Sequence, residues 1–156
     1  MTAAVGEPAP AFSLPGTDRT DAGRRTYTLE EFRGRPVVLV FYPGDNTPVC
    51  TRQLNAYTSD IETFEGVGAQ VLAVSPQSVE SHDEFSCKQG GFAFPLLADE
   101  DKAVGEAYGV LGPLGFYRRS AFVIDAEGVV RYAHRALAGL TFRPTAELVA
   151  AVEAAG

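Results

Sequence analysis

Apolar residues recur along the chain in two periods, one typical of buried strands and one typical of amphipathic helices. Residues 37–42 are apolar throughout, which suits a central strand covered on both faces, and residues 69–75 predict a second core strand. Between them, apolar positions at spacings of three and four predict one helix, which Gly66 and Gly68 end. Those positions are Leu54, Tyr57, Ile61 and Phe64. A strand, a helix and a second strand in this order imply a right-handed parallel crossover.

A second crossover is predicted by the residues that follow. Residues 79–89 have an amphipathic helical pattern, and Gly90 and Gly91 end it. Residues 92–97 then predict a short strand that contains Pro95. Because proline cannot donate to a central ladder, we expect this strand at a sheet edge, or the proline at a strand end.

The last third of the chain predicts a hairpin and a closing helix. A short helix over residues 102–108 and a glycine-containing loop over 111–117 lead to two strands, over 120–125 and 129–134. The three residues between these strands are a hairpin signal. Pro144 is suited to the first position of the final helix, because its missing N–H would have no partner there.

The N-terminal part predicts a β-hairpin of short strands. Phe12 and Leu14 alternate with polar neighbours, residues 18–23 are rich in turn formers, and residues 26–28 suit a second strand. A single helical turn over 29–32 should follow.

Taken together, these elements predict an α/β protein with a thioredoxin-like fold. A central mixed β-sheet would be flanked by helices and extended by the N-terminal β-hairpin, in a single domain over residues 1–156. A doubly wound parallel fold fits less well, because the last two strands are antiparallel neighbours.

The net charge of the chain argues against two classes of binding partner. The formal net charge is −7 and the pI about 4.8, so we expect neither nucleic acid nor an anionic membrane surface as a partner. The N-terminus has no basic region followed by a long apolar run, so no signal peptide is predicted and a cytoplasmic location is expected. Two cysteines are too few for a secreted disulfide framework.

One of these cysteines, Cys50, lies where the first apolar strand passes through a turn into a helix. Unpaired N–H groups at a helix start favour negative charge, so a thiol there can ionise near neutral pH and act as a nucleophile. The helix contributes only about 0.3–1 kcal/mol, so a nearby cation or direct hydrogen bonds are also required. Thr47, one turn earlier, offers a hydroxyl that donates and accepts, while Pro43 and Pro48 stiffen the loop.

The spacing Pro43-x-x-x-Thr47-x-x-Cys50 resembles the active-site signature of peroxiredoxins, of the AhpC/TSA-like superfamily. Residues 41–51 resemble the branch called peroxiredoxin Q or bacterioferritin comigratory protein. The likeness continues through Ser-His-Asp-Glu-Phe at 81–85, Phe-Pro-Leu-Leu-Ala-Asp at 94–99 and Arg-Ser-Ala-Phe-Val-Ile-Asp at 119–125. It therefore covers nearly the whole chain.

This resemblance implies a role for each residue of the site. Cys50 would be the peroxidatic cysteine, Thr47 would hydrogen-bond the peroxide, and Pro43 would shield the thiolate. Arg119 would lie beside the sulfur, and its permanently charged guanidinium would be the required cation.

The resemblance also implies a thiol-dependent peroxidase that reduces hydrogen peroxide and organic hydroperoxides through a sulfenic acid on Cys50. Thioredoxin or a similar thiol reductant would recycle it, with no cofactor and no metal. A monomer is expected, with a weak homodimer as the alternative.

The thiol that resolves the sulfenic acid is a separate question. Many members of this branch carry a second cysteine five residues after the first, where this chain has Asn55. Others carry it on the next long helix, which implies Cys87 and an intramolecular disulfide with Cys50. Cys87 comes one residue later than in that pattern, which turns its side chain by about 100° around the helix. Alternatively, Cys87 is a small buried hydrophobic residue and an external thiol resolves Cys50.

Other functions fit the residues less well. A thiol–disulfide reductase would need a Cys-x-x-Cys motif, which is absent. A zinc site built from Cys50, Cys87, His82 and His134 would have no usual spacing. We expect His82 to be an exposed or capping residue and His134 to lie at a strand end. A non-catalytic thioredoxin-fold binding module is the remaining alternative.

Overall fold

The computed structural model of the protein describes residues 3–18, 23–112, 115–136 and 142–155. In these residues a single seven-stranded mixed sheet is flanked by α-helices. The strands are β1 (Ser13–Thr17), β2 (Arg25–Thr28), β3 (Val37–Phe41), β4 (Gln70–Ser75), β5 (Leu96–Ala98), β6 (Ser120–Ile124) and β7 (Val130–Arg135). The helices are α1 (Pro48–Ser59), α2 (Ile61–Gly66), α3 (Val79–Lys88), α4 (Ala103–Ala107) and α5 (Thr145–Ala155).

The order of the strands across the sheet is β2-β1-β5-β4-β3-β6-β7. Strands β3, β4 and β5 are parallel, so both predicted crossovers are present. Strand β6 runs antiparallel to β3, and β7 antiparallel to β6. Strands β1 and β2 form the predicted N-terminal hairpin, and a 3-10 turn over Leu29–Phe32 follows it. The predicted α/β class and its mixed sheet are therefore confirmed.

The helix predicted between β3 and β4 is divided into two. Asp60, with φ −98° and ψ 14°, both ends α1 and begins α2. Its carboxylate accepts a hydrogen bond from Thr145 Oγ1 at 2.7 Å, which ties the break to the start of α5. The bend keeps the apolar residues of both helices against the sheet, where the rings of Tyr57 and Phe64 meet at 5.8 Å.

Strand β5 lies inside the sheet, so its prediction as an edge strand was wrong. The N-terminal hairpin covers it, because Gly16 and Thr17 of β1 pair with Leu97 and Leu96. Gly16 allows this approach, since a Cβ there would come within 2.5 Å of the Leu97 side chain. Pro95 directly precedes the strand, as the strand-end alternative predicted.

One further boundary differs from prediction. Helix α5 begins at Thr145, so Pro144 stands immediately before it, and the Pro144 carbonyl accepts the Leu148 amide at 3.3 Å. Parts of the predicted turn over 18–23 and of the loop over 111–117 lie outside the described residues. None of the helices in the described ranges is long and apolar enough to cross a membrane.

The core is divided by the sheet into two layers, because alternate strand residues face opposite sides. Val37, Leu39 and Phe41 face the layer that contains α4 residues. Val38 and Val40 face the layer covered by α1, α2, α3 and α5, which also contains Cys50. The candidate nucleophile is thus built into the larger helical face of the sheet.

Candidate active site

Cys50 is the third residue of α1, one turn after the loop that leaves β3. Just after β3, the Tyr42 amide donates one more hydrogen bond to the neighbouring strand β4, to the Val74 carbonyl at 3.0 Å. The loop then runs to Thr47, which is extended and immediately precedes α1, with Pro48 at the first helical position. The Cys50 side chain is fully buried, so the sulfur sits in the apolar layer at the positive end of the helix.

Arg119 reaches the sulfur from the neighbouring strand. Phe41 pairs with Ser120, so Arg119 lies beside the residue that follows β3. Its Nη2 lies 3.1 Å from Cys50 Sγ, and its Nη1 donates to Gln53 Oε1 at 2.5 Å. Arg119 is only 3% exposed and Gln53 only 1%. Water screens a positive charge in such a buried place little, so the guanidinium can interact favourably with a thiolate at this distance.

Gln53 was not indicated as a site residue by the sequence pattern. It lies three residues after Cys50 on the same helix, and residues at that spacing are neighbours on the helix surface. Its amide oxygen orients the guanidinium without neutralising the charge. The available signal was a polar residue at a helix position that faces the core, one turn beyond the cysteine.

Thr47 and Pro43 lie in the same loop as the helix start. The Thr47 hydroxyl does not cap α1 but donates to the Gly44 carbonyl at 3.2 Å. Because its hydrogen is directed at this carbonyl, the oxygen lone pairs are the part that can accept from a bound molecule. Pro43 is half-buried and follows Tyr42 directly.

A buried polar cluster joins this loop to α3. Asp45 Oδ1 accepts a hydrogen bond from Tyr42 Oη at 2.7 Å, and Asp45 Oδ2 accepts one from Ser81 Oγ at 2.7 Å. His82 Nδ1 lies 2.8 Å from the same Asp45 Oδ2. His82 is fully buried, so its prediction as an exposed or capping residue was wrong. The cap of α3 is Ser78, whose Oγ accepts from the Ser81 amide.

The burial of His82 follows from the face of α3 that meets the sheet. Phe85, three residues later, is also fully buried and lies on that face. The spacing of these two residues was a usable signal. Burial and then the negative charge of Asp45 hold the pKa of Tyr42 well above its ordinary value, so its hydroxyl stays protonated and can donate.

Cys87 lies near the end of α3 and is exposed, which contradicts its alternative prediction as a buried hydrophobic residue. Ser86 occupies the position where the family pattern has the cysteine, and it is buried, with its Oγ accepting from the Phe92 amide. Both cysteines are free thiols. Asn55 of α1 donates to Gln89 Oε1 at 3.0 Å, so the two cysteine-bearing helices are linked.

His134 lies one residue before the end of β7, as predicted.

The structure therefore brings together Cys50, Arg119 and the loop that carries Pro43 and Thr47. It leaves Cys87 on another helix with its side chain on the protein surface. A buried sulfur beside a guanidinium, at a helix start, can act as a nucleophile toward a small electrophile that reaches the loop.

Comparison with known proteins identifies the family to which the chain belongs. The profile of the AhpC/TSA family matches residues 5–133. The chloroplastic peroxiredoxin Q of rice (Oryza sativa subsp. japonica) is 40% identical over 129 residues, which cover 81% of this chain and only 57% of the rice protein. Peroxiredoxin Bcp of Xanthomonas campestris is 41% identical over 143 residues, which cover 86% of this chain and 87% of that protein.

A solved structure shows the same likeness in three dimensions. The bacterioferritin comigratory protein of Xanthomonas campestris, which has alkyl peroxide reduction activity, superposes with a TM-score of 0.82 at 34% identity. The superposition covers 97% of this chain and 98% of that one. This likeness confirms the thioredoxin-like fold predicted for the chain.

Proposed function

Because the chain belongs to the AhpC/TSA family, we propose that it is a thiol-dependent peroxidase in which Cys50 attacks the peroxide. The observation that carries this proposal is the 3.1 Å contact between Arg119 Nη2 and Cys50 Sγ in a buried site. A cation there stabilises the thiolate before the reaction. The same guanidinium can donate to the peroxide oxygens as negative charge develops on the departing one.

The reaction splits the O–O bond and oxidises the sulfur. The Cys50 thiolate attacks the terminal oxygen of R–O–O–H, an S–O bond forms, and the O–O electron pair leaves with RO⁻. After proton transfer, RO⁻ departs as an alcohol, or as water when R is hydrogen, and Cys50 becomes a sulfenic acid. Thr47 accepts the hydroperoxide O–H, and Pro43 limits the approach of water and larger molecules to the sulfur.

Hydrogen peroxide and organic hydroperoxides are the proposed substrates. The alkyl peroxide reduction activity of the X. campestris relative supports the second class. Burial of Cys50 favours small oxidants, because the sulfur is fully buried in the closed structure. Resolution by a thiol and reduction by thioredoxin or a similar dithiol protein would complete the cycle, with the chain acting as a monomer in the cytoplasm.

For the resolving step we propose Cys87. Its thiol would attack the Cys50 sulfenic acid, release water and leave an intramolecular disulfide. The Cα atoms of a disulfide lie within about 7 Å, whereas Cys50 is buried on α1 and Cys87 is exposed on α3, so local rearrangement must come first. Gln89 caps the end of α3, and Gly90 and Gly91 after it, both at positive φ, allow the last turn of the helix to unwind.

Peroxide consumption coupled to thioredoxin and its reductase tests the peroxidase. The wild-type chain should turn over steadily, and Cys50→Ser should abolish turnover. Undiminished turnover in Cys50→Ser would refute the site assignment. A wild-type chain that does not react with peroxide would favour the alternative, a non-catalytic binding module.

Mass spectrometry after one equivalent of peroxide tests the resolving step separately. The wild-type chain should lose two hydrogens as Cys50 and Cys87 join, whereas Cys87→Ser should hold a sulfenic acid that a trapping reagent labels. A wild-type sulfenic acid on Cys50 that persists beside a free Cys87 would refute the disulfide. The chain would then be a one-cysteine peroxidase that an external thiol resolves.

A further inference from the structure

We propose that Asp45 and His82 are positioning residues that hold the peroxide-binding loop in its reactive shape. This inference rests on the peroxidase function proposed above, and it adds residues that do not touch the sulfur or the substrate. We use the name Asp45–His82 clasp for the carboxylate of Asp45 with its three partners, Tyr42, Ser81 and His82. It joins the loop between β3 and α1 to the first half of α3.

The hydrogen bonds of His82 define the proton content of the clasp. Its Nε2 lies 2.9 Å from the Leu97 carbonyl, which only accepts, so Nε2 carries a hydrogen. Its Nδ1 lies 2.8 Å from Asp45 Oδ2, so a second proton must lie between the imidazole and the carboxylate. Both side chains are fully buried. A buried hydrogen-bonded pair of this kind holds its geometry tightly, because loss of either partner leaves a buried polar group without compensation.

The loop needs such an anchor because its backbone is strained. Asn46, directly after Asp45, has φ +63°, the left-handed region that non-glycine residues rarely adopt, although asparagine tolerates it best. Such conformations persist where surrounding contacts over-determine them. Asp45 supplies these contacts through its side chain, and its backbone amide also donates to Gln77 Oε1 at 2.9 Å.

Within the loop, the clasp is connected to the proposed peroxide-binding residue, Thr47, through Gly44. Asp45 is flanked by Gly44, whose carbonyl accepts the Thr47 hydroxyl at 3.2 Å. Movement of Asp45 would therefore shift this carbonyl and rotate the Thr47 hydroxyl away from the direction in which it accepts the peroxide. The contact between Cys50 and Arg119 involves none of these hydrogen bonds. Loss of the clasp should therefore impair peroxide binding geometry more than thiolate formation.

Two amide variants of His82 separate its two hydrogen bonds. In His82→Gln the amide nitrogen replaces Nε2, so the Leu97 bond is kept and the Asp45 bond is lost. In His82→Asn the amide nitrogen replaces Nδ1, so the Asp45 bond is kept and the Leu97 bond is lost. Each is compared with the wild-type chain for two rate constants of Cys50: oxidation by hydrogen peroxide, and alkylation by iodoacetamide. The alkylation needs the thiolate but not an oriented peroxide.

We expect His82→Gln to slow peroxide oxidation by about 10-fold to 100-fold, the effect of a misplaced positioning group, with alkylation unchanged. His82→Asn should lose less of the peroxide rate than His82→Gln. An equal fall in both rate constants, or a peroxide rate at the wild-type level in His82→Gln, would overturn the proposal. Should His82→Gln fail to fold, Ser81→Ala removes another hydrogen bond to Asp45 Oδ2 and should also slow peroxide oxidation more than alkylation; an equal fall in both rate constants, or no fall, would overturn the proposal.

A double-mutant cycle with Thr47→Val tests the route of the effect. Because the clasp acts through Thr47, His82→Gln should cause little further loss of peroxide rate in the Thr47→Val chain. Independent losses that multiply in the double variant would show that His82 acts elsewhere. These outcomes are distinct from failure of the peroxidase proposal, in which the wild-type Cys50 itself would react slowly with peroxide.

Discussion

Replacement of Gln53 by methionine is the sharpest test of how Arg119 is held. Gln53→Met keeps the length of the side chain and suits a helix, but it removes the amide oxygen that accepts Arg119 Nη1 at 2.5 Å. Hydrogen bonds to charged groups contribute about 1.5–3 kcal/mol, and the partner left behind is buried. For a chain of this size that loss corresponds to a fall in Tm of about 3–12 °C.

The effect on reactivity follows from the same contact. Without this hydrogen bond, one of the contacts that hold Arg119 Nη2 at 3.1 Å from Cys50 Sγ is lost. We expect peroxide oxidation of Cys50 to slow by about 10-fold to 100-fold, because catalytic groups displaced by about 1 Å lose rate on this scale. Stopped-flow measurement of Cys50 oxidation, together with thermal unfolding, gives both quantities.

Gln70→Met is the matched control for this experiment. Gln70 begins β4 at the end of the sheet opposite the loop, and its side-chain amide donates to the neighbouring Val71 carbonyl at 2.9 Å. It should leave the peroxide rate at the wild-type value. A Gln53→Met chain with wild-type Tm and wild-type rate would refute the orienting role of Gln53. An equal loss in Gln70→Met would show that the methionine itself is responsible.

Two further predictions concern stability. Gly105→Ala should lower the free energy of unfolding by about 1–3 kcal/mol in urea denaturation, because the added Cβ would lie 2.6 Å from the Tyr117 ring. Gly66→Ala, which meets nothing within 4 Å, is the control, and an equal loss there would contradict the steric reason. Burial acts to raise the pKa of Asp125, but hydrogen bonds from backbone amides and from Arg131 outweigh it, so that pKa lies below its ordinary value. Stability from such a carboxylate is complete above its unfolded pKa and is lost as pH falls through the folded pKa. Asp125→Asn should therefore be less stable than wild type at neutral pH, with a difference that shrinks in acid; a constant difference would refute this origin.

Local patterns in the sequence were enough to predict most of the fold. The apolar run of β3, the helix start at Cys50 and the turn between β6 and β7 all depend on residues that are close in the chain. The break at Asp60 was missed because the apolar period continues across it. The interior place of β5 was missed because pairing with β1 joins segments about eighty residues apart, and nothing in either strand specifies that partner.

The candidate site was less accessible to reasoning from the residues alone. The chemistry of Cys50 required a cation, but only the family resemblance pointed to Arg119. Arg119 is distant from Cys50 in the sequence, and the pairing of β6 with β3 brings the two residues together. Gln53, Asp45 and His82 are polar residues on buried faces. Their partners become apparent only when α1, α3 and the loop are packed on the same side of the sheet.

The two outer strands of the sheet have a further consequence, for aggregation. Strand β7 is an edge strand, and its first residue is paired with the N-terminal segment, through Gly6 N to Val130 O at 2.7 Å and Val130 N to Glu7 O at 2.9 Å. The rest of β7 contains arginine and histidine side chains, and the opposite edge strand, β2, is four residues long and begins with Arg25. Short, charged or covered edges are poor templates for strand addition between molecules. Helices on the face that holds Cys50 can therefore loosen while both edges of the sheet beneath them remain poor templates for another copy of the chain.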